Sequence, residues 1–267
     1  GAASSTRAMS DPLRFFVPPE SLLGDQVTIS GDAHHHLHNV LRTRLGSILT
    51  LLDGQGHCCE VELQTINKRE ALARVVRRWR DEDRSLPITL LQAVPKGDKF
   101  DLVLQKGTEL GVCCFQPVRT AHAVPQADSA RMIKREQRWL RIATEAARQC
   151  RRSFLPRVKP VRPLAEVINE QSDDLRILLW EAGPVPLADI LSDEKPAGVR
   201  LLVGPEGGFS DDEIKKISTA GFRAAHLGPR ILRTETAGLA ATAILQYLYG
   251  DWRQPAGNQS NPLQEKP

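Results

Sequence analysis

The chain has 267 residues, of which 36 are Lys or Arg and 32 are Asp or Glu, so its formal net charge is +4. This length predicts one or two domains with a sizeable core. A composition of 41% hydrophobic and 25% charged residues excludes a wholly disordered chain or a coiled coil. No apolar run approaches the roughly 20 residues that a membrane span needs, so no membrane partner is expected.

Residues 12–84 predict a β-rich domain. Short apolar or alternating runs, separated by turn signals, predict strands at 15–17, 26–29, 47–52, 58–66 and 70–76. A short helix is expected over 34–41. Five strands in about 70 residues predict a small β-barrel, a module that often handles oligonucleotides. That last step is a fold-level analogy.

Residues 86–251 predict an α/β domain. Strands are expected at 88–93, 112–118, 175–180, 199–203 and 224–227, and helices at 98–110, 131–151, 211–220 and 235–249. Because strands and helices alternate, the pattern predicts a largely parallel sheet with helices on both faces. Residues 1–11 and 253–267 are small and polar, and we expect them to be flexible termini.

The five cysteines indicate a reducing compartment. They occur as Cys58-Cys59, Cys113-Cys114 and Cys150, without a C-x-x-C spacing, and are expected to be small buried side chains. We therefore expect a cytoplasmic protein, with an organelle matrix or stroma as the alternative. The histidines of His34-His35-His36 and His38 lack a standard ligand spacing, so no metal is expected.

The positive charge is concentrated in one segment. Residues 12–85 carry ten basic and ten acidic side chains, whereas residues 131–162 carry eleven basic and two acidic ones. Such a one-sided run is typical of a surface that binds a polyanion. The alternative is a solvated helix face, because the helix over 131–151 also has an apolar stripe that includes Trp139, Leu140 and Ala143.

Residues 201–213 read as a strand, a glycine-rich turn and a helix. Ser210 and Glu213 have the spacing of a capping box, which defines the helix start. Ligands bind at the carboxyl ends of parallel strands, so this turn is a candidate site, although a purely structural turn is equally compatible. No P-loop and no G-x-G-x-x-G sequence is present, which disfavours a nucleotide or classical dinucleotide site.

Residues 227–237 form a second unusual loop. It runs from Gly228-Pro229 through an apolar pair to a helix start at which Thr234 is the expected N-cap. Ile231 and Leu232 could flank an aromatic ring or pack under the helix. Arg230 and Arg233 could contact phosphate or a base.

These two motifs, GPEGGFS at 204–210 and LGPRILRTETA at 227–237, resemble the ribosomal RNA small subunit methyltransferase E family of the SPOUT superfamily. The resemblance extends over about residues 13–250. Shorter motifs follow in the same order, namely HHLHNVLR at 35–42, QAVPK at 92–96, KGTELGV at 106–112 and EAARQCRR at 145–152.

The resemblance implies a fold and an activity. It implies an amino-terminal PUA-like β-barrel that binds RNA and a SPOUT α/β domain with a deep trefoil knot at about 200–250. It also implies a homodimer that uses S-adenosyl-L-methionine to methylate N3 of one uridine in 16S-type ribosomal RNA, within an assembled small subunit. The cofactor residues would be Leu179, Glu181, Gly204, Pro205, Gly207, Gly208, Leu227, Gly228, Ile231 and Leu232.

Chemistry at uracil N3 needs a proton acceptor and a group that stabilises the uracil anion. The candidates are Arg233, Glu206 and Glu235, and the sequence does not choose among them. The expected RNA contacts are Arg14, Arg42, Lys96, Lys106, Arg148, Arg151 and Arg152. The chain departs from the family pattern at Ala121-His122, where an acid–arginine pair is common, and at Arg151, where a small residue is common. The rival functions are a SPOUT methyltransferase acting on another RNA, and a non-enzymatic ribosome-assembly protein.

Overall fold

The computed structural model of the protein describes residues 12–122 and 129–253. The chain divides into two compact units. The first contains the chain up to Asp83 and the later segment Ala147–Leu155, and the second contains Arg84–Ala146 and the chain from Pro156. The termini for which flexibility is expected, 1–11 and 253–267, lie outside the described residues except for Arg253.

The first unit is built on a five-stranded sheet. Its strands are β1 (Leu13–Phe16), β2 (Gln26–Ile29), β3 (Ile48–Leu52), β4 (His57–Ile66) and β5 (Ala71–Arg80), in the order β1-β3-β4-β5-β2. The β1–β3 pair is parallel and the other pairs are antiparallel. Alternate residues such as Val27, Ile29, Val61 and Leu63 are fully buried in one apolar cluster, as expected for strands with one core face.

The helical segment of the first unit changes its geometry midway. Helix α1 (Gly31–His35) continues as one π-helical turn (His36–Val40), and a short 3-10 helix (Pro19–Leu22) precedes it. Leu37 is fully buried in the core of the unit. The five strands and the helix that the sequence predicts here are confirmed, and their ends differ from the prediction by at most four residues.

The second unit contains a parallel sheet. Its main strands are β6 (Ile88–Ala93), β7 (Cys114–Arg119), β10 (Leu175–Leu179), β12 (Val199–Val203) and β13 (Arg223–His226). Three two-residue strands extend it, namely β8 (Arg157–Val158), β9 (Arg162–Pro163) and β11 (Val185–Pro186). The order is β11-β13-β10-β12-β6-β7-β8, with β9 also beside β7. The predicted α/β class with a parallel sheet is confirmed.

Both faces of this sheet are buried. Leu90, Ile177 and Leu201 belong to one apolar cluster, whereas their neighbours Leu91, Leu178 and Leu202 belong to another. Strands with two buried faces read as continuous apolar runs, which is how they appear in the sequence. The helices are α2 (Lys99–Glu109), α3 (Ser129–Gln149), α4 (Leu164–Ile168), α5 (Leu187–Ile190), α6 (Asp211–Thr219) and α7 (Thr234–Tyr249).

Two local expectations are wrong. Leu140, assigned to the buried stripe of α3, is 51% exposed, because the buried face is made by Trp139, Ala143, Ala146 and Ala147. Thr234 is the first residue of α7 rather than its N-cap, which is Arg233. In the two described ranges, no helix is both long and apolar enough to span a bilayer.

Candidate functional site

Three loops follow three neighbouring strands of the second unit. Strands β13, β10 and β12 are adjacent and parallel, and Leu179, the last residue of β10, is in register with Val203 and Ala225. Their carboxyl ends therefore lie at one edge of the sheet. The loops that leave this edge are 180–184, 204–210 and 227–233, which contain most of the predicted cofactor residues.

The glycine-rich turn after β12 is a defined structure. The N–H group of Gly208 donates to the carbonyl of Pro205 at 3.0 Å, and Gly208 has a φ of +71°. A Cβ atom on Gly204 would lie 2.8 Å from the ring of Phe209, so any side chain there would force the ring or the turn to move. Ser210 and Glu213 form the predicted capping box of α6. The turn therefore needs glycine both for its conformation and for its packing.

Two consecutive hydrogen bonds between buried and half-buried groups hold this turn in place; together they are called the buried polar link. The hydroxyl of Thr234 donates to the carbonyl of Gly204 at 2.6 Å, and Nε2 of Gln92 donates to that hydroxyl at 2.9 Å. The link joins the end of β6, the turn after β12 and the start of α7. Gln92 belongs to the QAVPK motif but was not among the predicted site residues; a polar side chain near the end of an apolar strand is the signal that could have identified it.

Glu206 lies in the turn and is anchored to α2. Its Oε1 accepts hydrogen bonds from Nζ of Lys99 at 2.8 Å and from the backbone N–H of Lys96 at 3.3 Å. Partial burial raises the pKa of the Glu206 carboxyl, but these hydrogen bonds and the Lys99 charge outweigh it, so the pKa is below its usual value. Glu206 is therefore an ionised carboxylate and a weak proton acceptor.

The segment after β7 contacts the same turn from another side. Nδ1 of His122 donates to the carbonyl of Gly208 at 3.3 Å, and the backbone N–H of Ala121 donates to Glu213 at 2.7 Å. Ala121-His122 is the position at which the chain departs from the family pattern. The histidine thus contacts the glycine turn, a contact that the sequence did not predict.

The loop after β10 packs tightly against β13. The N–H group of Gly183 donates to the carbonyl of Trp180 at 2.9 Å, and a Cβ atom at Gly183 would lie 2.7 Å from the backbone of Ala225. Leu179 points into the apolar core, so only its backbone faces the loop, while Glu181 is exposed. Gly183 is a loop residue that sequence analysis did not select.

The loop after β13 leads into α7. Gly228 has a φ of +93°, and its N–H group donates to Nδ1 of His226 at 3.1 Å. Leu227 packs against the core and Leu232 is half-buried, whereas Ile231 is 82% exposed. A packing role beneath the helix is therefore excluded for Ile231 within this chain.

Arg233 and Glu235 are both placed at the start of α7. Arg233 is the exposed N-cap residue. Glu235 is half-buried, and its Oε2 is buried without a hydrogen-bond partner among the residues that the structure describes. A buried carboxylate oxygen without a partner is costly in a folded protein. Such an atom needs a partner from outside the described residues, such as a water, a ligand or a reacting group.

The predicted RNA-binding residues fall into both units. Arg14, Arg42, Arg148, Arg151 and Arg152 belong to the first unit, and Lys96 and Lys106 belong to the second. Arg14 donates to the carbonyl of Arg151 at 3.4 Å and to the hydroxyl of Ser153 at 3.2 Å. Lys106 pairs with Glu109 at 2.9 Å.

Part of the basic segment has partners within the protein. Arg138 pairs with Asp98 and Asp101, and Arg162 pairs with Glu170. The charge excess of 131–162 is therefore partly neutralised locally.

Three histidines of the first unit form hydrogen bonds with other residues of the protein. His34 bonds the carbonyl of Asn67 at 2.8 Å, and both His35 and His38 bond the side chain of Asn39. In residues 12–122 and 129–253, no group of three or more His, Cys, Asp or Glu has an arrangement that could hold a metal ion.

Comparisons with known proteins identify the family. Residues 82–246 match the RNA methyltransferase domain family, and residues 29–76 match the RNA methyltransferase PUA domain family. The chain is 35% identical over 229 residues to ribosomal RNA small subunit methyltransferase E of Bacillus subtilis, covering 82% of this chain and 89% of that one. It is 31% identical over 249 residues to the protein of the same name from Mycobacterium bovis, covering 91% and 95%.

Solved structures agree with the sequence comparisons. Ribosomal RNA small subunit methyltransferase E of Neisseria gonorrhoeae, bound to S-adenosyl methionine, superposes with a TM-score of 0.82 at 36% identity, over 90% of this chain and 99% of that one. A Legionella pneumophila methyltransferase in complex with the same cofactor gives 0.83 at 33% identity, over 89% and 98%. The two domain matches, the curated relatives and the solved structures agree, and the chain belongs to the ribosomal RNA small subunit methyltransferase E family.

Proposed function

We propose that the protein is an S-adenosyl-L-methionine-dependent methyltransferase that methylates N3 of one uridine in small-subunit ribosomal RNA. Family membership supports the broader activity of a ribosomal RNA methyltransferase. The main support for placing the active site here is that three loops converge at one sheet edge. At this edge Glu235 has a buried carboxylate oxygen that has no hydrogen-bond partner among the described residues.

The residues of the three loops fit the cofactor. Around Gly208 and Gly228, added Cβ atoms would meet nothing within 4 Å, so a ligand can approach the backbone closely. Backbone N–H and C=O groups suit a neutral adenine and ribose, and exposed Glu181 suits a cationic group. When bound, this cofactor supplies a methyl group carried on a sulfonium. The proposed binding residues are Leu179 through its backbone, Glu181, Gly204, Pro205, Gly207, Gly208, Leu227, Gly228, Ile231 and Leu232.

Glu235 is the proposed proton acceptor. Uracil N3 carries a proton that must leave before its electron pair can form the new N–C bond. The free Oε2 of Glu235 can take this proton. Glu206 is less suited, because its carboxylate is already held by Lys99.

Arg233 is the proposed electrophilic residue. It is exposed and lies two residues from Glu235, at the end of the loop that follows β13. Removing the N3 proton leaves negative charge on the uracil oxygens, which a guanidinium can stabilise through two parallel N–H groups.

The partners, the knot and the cellular location are part of the same proposal. The proposed substrate is RNA in an assembled small subunit in the cytoplasm, and the proposed protein is a homodimer. Ile244, Tyr247 and Leu248 are exposed on α7, which supports an apolar contact between two copies. Strand β13 pairs with β10 on the side opposite β12, and α7 returns to pack against β12 and β6, a course that supports a knotted carboxyl region.

The function is tested in a strain that lacks the gene. Small-subunit ribosomal RNA from the deletion strain should lack one N3-methyluridine, and restoring the gene should restore it. Persistence of every N3-methyluridine in the deletion strain would refute the uridine assignment. Loss of a modified base from another cellular RNA would favour that RNA as the target, and unchanged modification with defective subunits would favour an assembly protein.

A further inference from the structure

Gln92 is an amide side chain that is buried near the end of an apolar strand. It follows the fully buried Leu90 and Leu91 in β6 and is itself fully buried. Its Nε2 donates to the hydroxyl of Thr234 at 2.9 Å and to the carbonyl of Ala93 at 3.3 Å, whereas its Oε1 has no hydrogen-bond partner among the described residues. An incompletely paired buried amide costs free energy that another apolar residue in this strand would not cost. What Gln92 adds, and an apolar residue could not, is the donor to Thr234.

Thr234 connects this donor to the turn that follows β12. Its hydroxyl is part of a buried side chain, accepts the hydrogen bond from Gln92, and donates to the carbonyl of Gly204 at 2.6 Å. A hydroxyl has a single proton and can rotate. The bond from Gln92 therefore keeps that proton directed at Gly204, and the two bonds of the buried polar link act in series.

Thr234 also lies between the two residues proposed to act on the base. Arg233 and Glu235 flank it at the start of α7. One turn further along, a Cβ atom at Gly238 would lie 3.0 Å from the side chain of Leu90, so the start of α7 packs directly on β6. Holding the Thr234 hydroxyl against the glycine turn therefore also holds the backbone that carries Arg233 and Glu235.

We propose that Gln92 is a positioning residue for methyl transfer. Through the Thr234 hydroxyl, it holds Arg233 and Glu235 in place relative to the turn at 204–210. This role rests on the proposed function, in which the turn binds the cofactor and these two residues act on uracil N3. Methyl transfer needs its reacting atoms in line, so a small displacement of one side of the site from the other slows the reaction.

The glycine turn has other support besides the buried polar link. The hydrogen bond from Gly208 to Pro205 lies within the turn, and the bonds that Glu206 accepts from Lys99 and from the backbone of Lys96 do not involve α7. These contacts should keep the turn able to bind the cofactor when the link is broken. Loss of the link should therefore slow the chemical step much more than it weakens cofactor binding.

The test compares two substitutions of Thr234. Valine keeps the shape of threonine without the hydroxyl, whereas serine keeps the hydroxyl without the methyl group. With small subunits from the deletion strain and labelled S-adenosyl-L-methionine, Thr234→Val should lower the single-turnover rate at saturating cofactor about a hundredfold, and should change the cofactor dissociation constant less than about threefold. Thr234→Ser should keep a rate close to that of the parent. A larger loss of rate in Thr234→Ser than in Thr234→Val would assign the effect to packing and overturn the proposal.

Thr242→Val is the matched control on the same helix. Thr242 is fully buried, and its hydroxyl donates to the carbonyl of Gly238 within α7 at 2.7 Å. This variant loses a buried hydroxyl of the same kind but leaves the buried polar link intact, so it should keep the parent rate. If Thr242→Val lost as much rate as Thr234→Val, general loosening of α7 would explain both and the proposal would fail.

A double-mutant cycle tests whether Gln92 acts through Thr234. Gln92→Leu should lower the single-turnover rate by roughly tenfold in the parent background, less than Thr234→Val because the hydroxyl itself remains, and should have no further effect in the Thr234→Val background. Equal losses in both backgrounds would refute the positioning role of Gln92.

Hydrogen exchange separates failure of this proposal from failure of the proposed function. The backbone amides of 206–209 and 235–237 should exchange faster in Thr234→Val and Gln92→Leu than in the parent, but not in Thr242→Val. Unchanged exchange in Thr234→Val would overturn the proposal even if the parent protein methylates uridine. A parent protein that labels another base, or no RNA, would instead contradict the proposed function, and the exchange rates would still decide whether the link holds the start of α7.

Discussion

Glu206 and Glu235 are equivalent candidates in the sequence but have different surroundings in the structure. Glu206 is held by Lys99 and the backbone of Lys96, which anchors the glycine turn to the start of α2. Glu235 keeps one buried carboxylate oxygen without a partner in the part of the chain that the structure describes. Hydrogen bonds to the ionised form lower the pKa of a carboxyl and weaken it as a base. The two carboxylates therefore have separate proposed roles, Glu206 in positioning and Glu235 in proton transfer.

Substituting each carboxylate separates these roles. Glu235→Gln should lower the single-turnover rate of methyl transfer by about 10²–10⁴-fold, with little change in cofactor affinity, because a general base acts only on the chemical step. Glu206→Gln should mainly weaken cofactor binding, because it loosens the glycine turn. Calorimetry and single-turnover kinetics measure the two quantities. If instead Glu206→Gln slowed methyl transfer and Glu235→Gln weakened cofactor binding, the two proposed roles would have to be exchanged.

Gly204 tests the cofactor assignment. Valine at this position would place its Cβ 2.8 Å from the ring of Phe209, so the ring or the turn must move, and the larger side chain would also occupy space beside the turn. Gly204→Val should abolish detectable cofactor binding in calorimetry while leaving RNA affinity unchanged. Gly24→Val is the control, since the nearest atom to its Cβ lies 3.5 Å away in the first unit. Retained cofactor binding by folded Gly204→Val would contradict the assignment of this turn.

At the scale of elements, Glu170 connects α4 to the central strands. It accepts hydrogen bonds from Arg162 and from Arg200, whose side chain on β12 is only 7% exposed. Partial burial raises the pKa of Glu170, but the hydrogen bonds from both arginines outweigh it and hold the pKa below its usual value. Because the folded pKa is the lower one, this group stabilises the fold above the unfolded pKa and loses that contribution as pH falls through the folded value.

Glu170→Gln should therefore destabilise the protein at pH 7, by about 3 kcal/mol, because a buried arginine loses its partner. The difference from the parent should shrink as the pH falls below the ordinary Glu pKa and through the lower folded value, because the parent carboxyl then also becomes protonated. Urea denaturation at pH 7 and across the acidic range measures this. Glu166→Gln is the control, since Glu166 is more exposed and pairs only with Arg162 among the described residues. If the difference in the free energy of unfolding between the parent and Glu170→Gln did not change with pH, the proposed link between Glu170 ionisation and stability would be contradicted.

The elements differ in how well the sequence predicts them. The long strands and helices follow from apolar runs and from the Ser210–Glu213 capping box, which is a local signal. The two-residue strands β8, β9 and β11 carry no such pattern, because they form only where a neighbouring strand supplies hydrogen bonds. Likewise, Lys99, His122 and Gln92 reach the site from distant parts of the chain. Local patterning cannot reveal such contacts.

For the molecule as a whole, the open question is its oligomeric state. The family motifs locate the loops of the candidate site, but whether two copies associate must be measured. The protein should sediment at twice its 29.6 kDa chain mass. Leu248→Glu on α7 should shift it to the monomer, because a charge would be buried between the copies. Ile133→Glu on α3, which is 56% exposed, should leave the dimer intact. A parent protein that sediments as a monomer at micromolar concentration would contradict the proposed homodimer.

The most direct test of the proposed reaction is the identity of the methylated base. Purified protein is incubated with methyl-labelled S-adenosyl-L-methionine and small subunits from the deletion strain, and the RNA is digested to nucleosides for chromatography and mass spectrometry. We predict one labelled product, N3-methyluridine, which is lost with Glu235→Gln and retained at a reduced level with Glu206→Gln. Label in any other nucleoside, or no label in RNA despite cofactor binding, would contradict the proposed reaction.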